Sequence, residues 1–560
     1  MRITASEHLG KPALQLLVLV SSLTLALTLG WPSTHAEAQP ASAAAATENA
    51  LCTREALLQI KAGGNAVDAA VAAAFVAGVT SPSSSGIGGG GFAMVWLASE
   101  QKPVLLDFRE VAPQRVDAAR LEERPLPNAE RGRLIGVPGE VKGLFELHQR
   151  YGKRSWADVV GGAVHAAEKG FPVNPHLAKT LASARELAGL DPGLDAVFFA
   201  KGHAAAAGAL ARNPKLAATL RRIAAEGPPA FYAGEVAADL VASAASVQGA
   251  LTLDELQAYR PIERTPVHVR WEGYDVYTMP PPSAGGLMLA QVLGLFSSAE
   301  LKKLGLERGA YQHLIAEGMR GAIADRMRYV GDPAFTRIDF AALTSKERMA
   351  ARRRRIALDL THAVPRFALP EHGTHHLVTA DALGNFVSLT TTVNRAFGAK
   401  ISGNSGVVLN DQLDDFTELE DVKPLGITEN PNRPRPGARP TSSMTPTIVT
   451  KNGSVVLALG GSGGPTISTN VTQLLLARLV FGKTPQQAVS APRFYIPTRG
   501  NSYILLEKGA PKALVEDLES RGEIVGTMPF TGSAVQMIAV ENGRKLAASD
   551  PRKHGKAEVR

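Results

Sequence analysis

The sequence predicts an α/β protein whose N-terminal half is mainly helical and whose C-terminal half is built from strands. Three observations carry this. Ala69 to Val79 is an almost unbroken apolar run of helical length, which can sit only inside a protein. Thr374 to Ala380 and Phe386 to Asn394 are rich in Val, Thr, Leu and Phe. They flank the turn-forming Asp381-Ala382-Leu383-Gly384-Asn385 and read as a β-hairpin. Thr447 to Leu459 folds back around Asn452-Gly453, a strong hairpin signal, and delivers Gly460-Gly461-Ser462-Gly463-Gly464 to a helix running from about Thr466 to Val480.

Taken in order, Met1 to Lys11 carry two basic groups, Ala13 to Leu29 are mainly Leu, Val, Ala, Ser and Thr, and Ala36-Glu37-Ala38 supplies a small-x-small cleavage site. This predicts a secretory leader over residues 1–38, a periplasmic or secreted location, and no stable membrane span once the leader is removed. An uncleaved anchor is the alternative, because the apolar run reaches the lower limit for crossing a bilayer. Cys52 is the single cysteine, which excludes an intrachain disulfide framework, and it reads as a buried small hydrophobe. Ala41 to Ala46 is low-complexity and reads as a flexible stretch between leader and fold. A helix follows around Glu55 to Ala62 and stops at Gly63-Gly64-Asn65-Ala66-Val67-Asp68.

The run Ser83-Ser84-Ser85-Gly86-Ile87-Gly88-Gly89-Gly90-Gly91 precedes a strand over Phe92 to Leu97. Glycines at this density let two backbones approach closely. A phosphate loop would need Lys-Ser/Thr and a following helix, and has neither here. Tyr151 to Leu343 alternates amphipathic helices with connectors and one strand pair near Val267 to Met279, and reads as scaffold. Met349 to His372 is basic, then broken at Pro365 and Pro370, as an exposed connector between two halves would be. Ser405 to Phe416 reads as a strand ending in acids and amides, and Arg439-Pro440-Thr441-Ser442-Ser443-Met444-Thr445-Pro446 opens another.

Of the 560 residues, 45% are hydrophobic and 20% charged, enough apolar material for a large core or two lobes. The formal charge is +8. The leader's Arg2, Lys11, Glu7 and Glu37 sum to zero, so the mature chain keeps that balance and favours anionic partners. Nucleic acid is not predicted as a partner: the dense basic run Arg352 to Arg355 lacks interleaved aromatics and reads as a solvated linker.

The hairpin carries the chemistry. With its turn centred on Leu383, Thr392 pairs with Thr374. Val387, Leu389 and Val393 fall on one face, while Ser388, Thr390, Thr392 and Asn394 form a polar wall on the other. A threonine hydroxyl needs a base within reach, and no Ser-His-Asp arrangement is legible. A terminal threonine supplies its own base, because its α-amine has an unperturbed pKa of ~7.7 to 8.0. Thr374 gains such an amine only if the bond to Gly373 is cut, and a glycine there lets its carbonyl bend toward the hydroxyl for an N-to-O acyl shift. Taken alone, Thr374 reads as an ordinary strand threonine and Arg109 as a surface salt-bridge residue. The acid and amide cluster and the glycine turn change that reading, since backbone N–H groups at a helix N-terminus can hold an oxyanion.

Gly63 to Ala70, Gly88 to Gly91, Asp107-Phe108-Arg109-Glu110, Pro138-Gly139, Met279 to Ser283, Ala324-Asp325-Arg326, Gly331-Asp332-Pro333 and Ser549-Asp550-Pro551-Arg552 occur in one order. In these the chain resembles the gamma-glutamyltransferases, which belong to the N-terminal nucleophile hydrolases, from about Ala50 to Arg552. The resemblance implies an α/β four-layer αββα sandwich. It implies self-cleavage into a large chain, 39–373, and a small chain, 374–560, that stay together as a heterodimer. Thr374 corresponds to the nucleophile and Thr392 to the threonine that hydrogen-bonds it. Arg109 corresponds to the grip on the substrate α-carboxylate, with Ser442 and Ser443. Asn394, Gln412 and Asp415 correspond to the set around the α-amine, and Gly463 and Gly464 to the oxyanion hole. The implied reaction transfers a γ-glutamyl group from glutathione or a related amide to water or an amine, with no metal or cofactor.

Against the family pattern, no strand-like segment is legible before Cys52, and positions 465 and 466 are Pro and Thr where a small and a basic residue are usual. Thr417 to Pro440 is long enough for a lid yet has no aromatic to close it. Two alternatives share the scaffold: a glutaryl amidohydrolase like the cephalosporin acylases, and a non-catalytic binding protein. His375 and His376 read as structural, with only His376 on the face of Thr374.

Overall fold

Asn65 starts the central buried helix because its side chain accepts from the backbone N–H groups of Val67 and Asp68, while the Asp68 carboxylate accepts from Asn65 N in return. The helix α2 (Ala66–Thr80) that follows is buried at every residue, as its unbroken apolar sequence requires. The computed structural model describes residues 42–122, 125–184, 190–362, 373–497, 503–529 and 532–560. The predicted leader lies outside them, and among the described residues no helix is long and apolar enough to cross a membrane.

Two sheets form the centre. The first contains β1 (Ala44–Thr47), β2 (Gly90–Leu97), β3 (Lys102–Asp107), β4 (Ile262–Arg264), β7 (Gly373–Ala380), β8 (Phe386–Asn394) and β13 (Lys556–Val559), in the order β13-β1-β7-β8-β2-β3-β4. The second contains β5 (Val267–Trp271), β6 (Tyr274–Thr278), β9 (Thr447–Lys451), β10 (Ser454–Ser462), β11 (Ala534–Glu541) and β12 (Arg544–Ser549), in the order β12-β11-β10-β9-β6-β5. Strands β7 and β8 pack on β10, closing the two sheets face to face. Helices α1 (Ala50–Lys61) and α2 cover the outer face of the first sheet. The helices Gly285–Leu295 and Thr466–Leu479 cover the second. The result is the αββα sandwich.

Strand alternation explains the two cores. Val387 and Leu389 face α2 in the first core, whereas Phe386 and Val378 join Ile448, Ala458 and Ile538 between the sheets. The expected polar wall of β8 is therefore open only at its Thr392 and Asn394 end. Ser388 donates to Leu459 O across the sheets and Thr390 bonds His376, so the polar side chains are spent inside the sandwich.

Four expectations are corrected. The Ala-rich stretch is not a flexible tether: Ala44–Thr47 is a buried strand paired on both sides, with β7 and β13. This is also the strand thought missing before Cys52; two ladders and two covered faces override alanine's poor strand preference. Residues 405–411 are not a strand but loop, with one bridge from Leu409 to Gly88. The basic run is solvated only in its second half: Arg352 reaches Gln291 and Asp325 and Arg353 reaches Glu300 from the helix Lys346–Arg353, whereas Arg354 and Arg355 are exposed. Met349 and Ile356 are buried, so the expected exposed connector is anchored at these two points while Ala351, Arg354, Arg355 and residues 358–360 are exposed; residues 363–372 lie outside those described. As expected, the glycine run passes close to a neighbouring backbone: a Cβ on Gly89 would lie 1.9 Å from Thr392 O. Cys52 is buried, with its thiol pushed up to about 12 by burial.

Candidate active site

Arg109 follows β3 and is fixed before it meets anything in the cleft. Its N–H donates to Asp107 Oδ1 (2.8 Å), and its carbonyl accepts from Arg439 Nη1 (2.6 Å) and Tyr259 OH (2.9 Å). Asp107 is held in turn by Arg264 (2.6 Å) and Arg439 (3.2 Å). The guanidinium then reaches Asp415 Oδ2 at 2.5 Å, Pro440 O at 3.2 Å and Thr441 O at 3.2 Å. Asp415 closes the 3-10 turn Gln412–Asp415, where Gln412 Nε2 donates to the same carboxylate oxygen (2.8 Å). The long segment after Asp415 is pinned by Asn432, which donates to Asp415 O (2.7 Å) and accepts from Thr441 N (2.9 Å).

The hairpin pairs as expected about Leu383 from His375↔Thr391 to Ala380↔Phe386, but the register shifts between Gly373 and His375. Gly373 therefore pairs with Asn394, and Thr374 sits in a bulge of the kind that re-aims a side chain beside a site. With that shift the Thr392 hydroxyl does not sit on the Thr374 hydroxyl, as expected for it. It donates to the Gly373 carbonyl at 2.7 Å and accepts from Asn394 N at 2.8 Å. Gly373 has no alternative: a Cβ there would meet Ser83 O at 2.4 Å. Asn394 adopts a left-handed φ of 78°, held by its side-chain bond to Asp411 O (3.0 Å).

Thr374, Thr392, Asn394, Gln412, Asp415 and Arg109 line one cleft, and Ser442, Ser443 and Gly464 complete its predicted wall. Gly463 precedes Gly464 in the turn from β10 into the helix Thr466–Leu479 but does not line the cleft. Both glycines have positive φ, 114° and 58°. Four lining residues had been given no role from sequence: Arg326, Met444, Pro465 and Ile467. The last three make the lip apolar. Arg326 lay in a motif that carried the family resemblance, yet a single arginine on a buried helix has no spacing that aims it at a cleft.

Behind Thr374 lies a second buried cluster. Lys553 Nζ donates to Thr374 O (2.8 Å), Ser462 Oγ (2.7 Å) and Glu48 Oε2 (2.9 Å). Burial holds His375 neutral, with its pKa lowered to about 3, and pushes His376 well below the usual range. Neither lines the cleft; His376 bonds Thr390 Oγ1 and Glu48 instead, which fits a structural role. On the other side of β8, burial raises Glu110 to about 8 and raises Glu140 well above the usual carboxylate range.

Residues 52–559 match the family described as gamma-glutamyltranspeptidase. The chain is 37% identical over 514 residues to a glutathione hydrolase proenzyme from Pseudomonas aeruginosa, with 89% of this chain and 90% of that protein covered. Among solved structures it resembles a cephalosporin acylase from Bacillus halodurans, with a TM-score of 0.83, 28% identity, and 93% and 96% of the two chains covered. It also resembles a gamma-glutamyltranspeptidase from Pseudomonas nitroreducens, at 35% identity and TM-score 0.51, over 56% of this chain and 94% of that one. With a cleft of this composition inside an αββα sandwich and a family match over nearly its whole length, the chain belongs to the gamma-glutamyltranspeptidase family.

Proposed function

We propose that this chain is an exported proenzyme that cuts itself between Gly373 and Thr374 and then cleaves γ-glutamyl amides such as glutathione. The observation that carries the reading is the placement of Thr374 in one cleft with Arg109 and Asp415, next to a Gly373 carbonyl already held by Thr392.

In the first reaction the Thr374 hydroxyl attacks the Gly373 carbonyl carbon. Thr392 stabilises the oxygen that becomes negative, the C–N bond breaks, and the ester formed is hydrolysed to free a carboxylate at 373 and an amine at 374. In the second, that amine takes the proton from the Thr374 hydroxyl as it attacks the substrate γ-carbonyl. The amide nitrogen leaves with the proton, and water or another amine releases the acyl group. Gly464 and Gly463 supply backbone N–H groups to the oxyanion. Arg109, with Ser442 and Ser443, takes the α-carboxylate. Asp415, Gln412 and Asn394 take the α-amine; the last two fit this because, among the described residues, Gln412 Oε1 and Asn394 Oδ1 are buried without a partner. Residues 39–373 and 374–560 remain together, because β1, β7, β8 and β2 share one sheet across the cut.

Mass spectrometry of the purified protein, with glutamate release from glutathione, tests this. Two fragments meeting at Gly373/Thr374 and an active enzyme are expected; an intact and inactive chain rejects it. A Thr374→Ala chain should stay whole. The likeness to a cephalosporin acylase favours a second reading, hydrolysis of glutaryl amides at the same threonine. Turnover of glutaryl but not γ-glutamyl amides would select it.

A further inference from the structure

The cleft holds a cation that, among the described residues, has no carboxylate in contact with it. Arg326 stands in the last turn of the helix Gly309–Tyr329, is 7% exposed, and lines the cleft with Thr374. Among the described residues its guanidinium makes one hydrogen bond, to Ser443 Oγ, and no ion pair. Its neighbour Asp325 is turned away, to Gln291, Arg348 and Arg352. Burial lowers the Arg326 pKa to about 10 against the pull of Asp415, a carboxylate already in contact with Arg109, and Arg326 stays charged at neutral pH.

Arg109, by contrast, is largely spent. Its Nε and Nη2 groups serve Pro440 O, Asp415 and Thr441 O, so Nη1 alone is uncommitted. The charged lining residues are Arg109, Arg326 and Asp415, two positive and one negative. A buried charge is stable only when paired, and the helix C-terminus offers part of one charge at most. The missing partner is an anion brought by the ligand, and the planar N–H fork of an arginine suits a carboxylate.

We propose that Arg326 is a specificity-determining residue that grips the carboxylate of the acyl head together with Arg109, so that the cleft selects acyl groups ending in a carboxylate, with or without an adjacent amine. This rests on the reading of the Thr374 cleft as the acyl-donor site.

The test is calorimetric binding of L-glutamate and of glutarate to the processed protein and to Arg326→Gln, Arg326→Lys and Ser443→Ala variants. Arg326→Gln should weaken both ligands tenfold or more, and Arg326→Lys should recover at least a third of the affinity, because the charge is kept. In a Ser443→Ala background, which already lacks the serine's own contribution, Arg326→Gln should still weaken both ligands tenfold or more. Equal binding by Arg326→Gln and the parent overturns the proposal. So does an Arg326→Gln loss that vanishes in the Ser443→Ala background, since Arg326 would then act only by fixing Ser443. Retained self-cleavage and melting temperature in the variants separate binding from folding. Wild-type self-cleavage and γ-glutamyl amide turnover are measured alongside; their absence would strike the functional reading, while the binding ratios judge Arg326 itself.

Discussion

Lys553 places its ammonium 2.8 Å from the carbonyl oxygen of Thr374, and the same nitrogen holds Ser462, the residue just before the glycine turn. The nucleophile and the oxyanion donors thus hang from one side chain at the far end of the chain. Lys553 is buried against Glu48, and removing one partner of a buried pair costs about 3–5 kcal/mol. Lys553→Met should therefore lower the melting temperature and slow self-cleavage, seen as accumulation of the uncut chain on a gel. Adding Glu48→Gln should restore stability, because no buried charge is left alone, without restoring the cleavage rate. Recovery of both would show that Lys553 matters to stability alone.

Thr392 should govern the cut more than the later turnover. Its hydroxyl donates to the Gly373 carbonyl, and loss of one such donor costs roughly 10²–10³ in rate at sites that stabilise a developing oxyanion. Thr392→Val should slow maturation by about that factor, followed as the growth of the 374–560 fragment with time, while Thr392→Ser should mature at close to the parent rate. Equal rates in Thr392→Val and the parent would remove Thr392 from the reaction.

The sequence made the hairpin legible because its pairing follows from symmetry about Leu383, and the structure keeps that register up to His375. It could not reveal the bulge at Thr374, since one extra residue in a strand leaves no mark on an alternating pattern. The strand Ala44–Thr47 was illegible for a different reason: a run of alanines carries no period, and only the two neighbouring strands make it a strand. Arg109, Asp415 and the serine pair were found through motif resemblance. Arg326 and Lys553 were missed because each comes from an element distant in sequence, and burial of a cation beside Thr374 is a property of the packed chain.

Asn432 ties the two walls of the cleft together, through Asp415 O and Thr441 N. Each buried polar group left without its bond costs about 1–3 kcal/mol. Asn432→Ala should free Asp415 and the Thr441-Ser442 backbone to shift. The expected outcome is KM for a γ-glutamyl anilide raised several-fold, with kcat changed by less than about threefold, because uniform binding is lost and not the chemistry at Thr374. A fall in kcat at constant KM would contradict this.

Glu110 makes stability depend on pH. Burial raises its carboxyl from 4.5 to about 8, against the opposing pull of Arg109, and among the described residues neither of its oxygens has a hydrogen-bond partner. The folded state thus holds a proton that the unfolded chain releases near pH 4.5. The protonated acid is fully tolerated below that pH, and the stability it contributes is lost as pH rises through about 8. Glu140, also raised by burial and by the nearby Glu110 charge, acts in the same direction. Glu110→Gln keeps the shape and removes the titration. Its melting temperature should lie near the parent's at pH 4.5 and exceed it by a margin that widens up to about pH 8 and then holds, roughly a few degrees at the end. Parallel melting curves across that range, read by differential scanning calorimetry, would mean that Glu110 is ionised in the folded protein throughout.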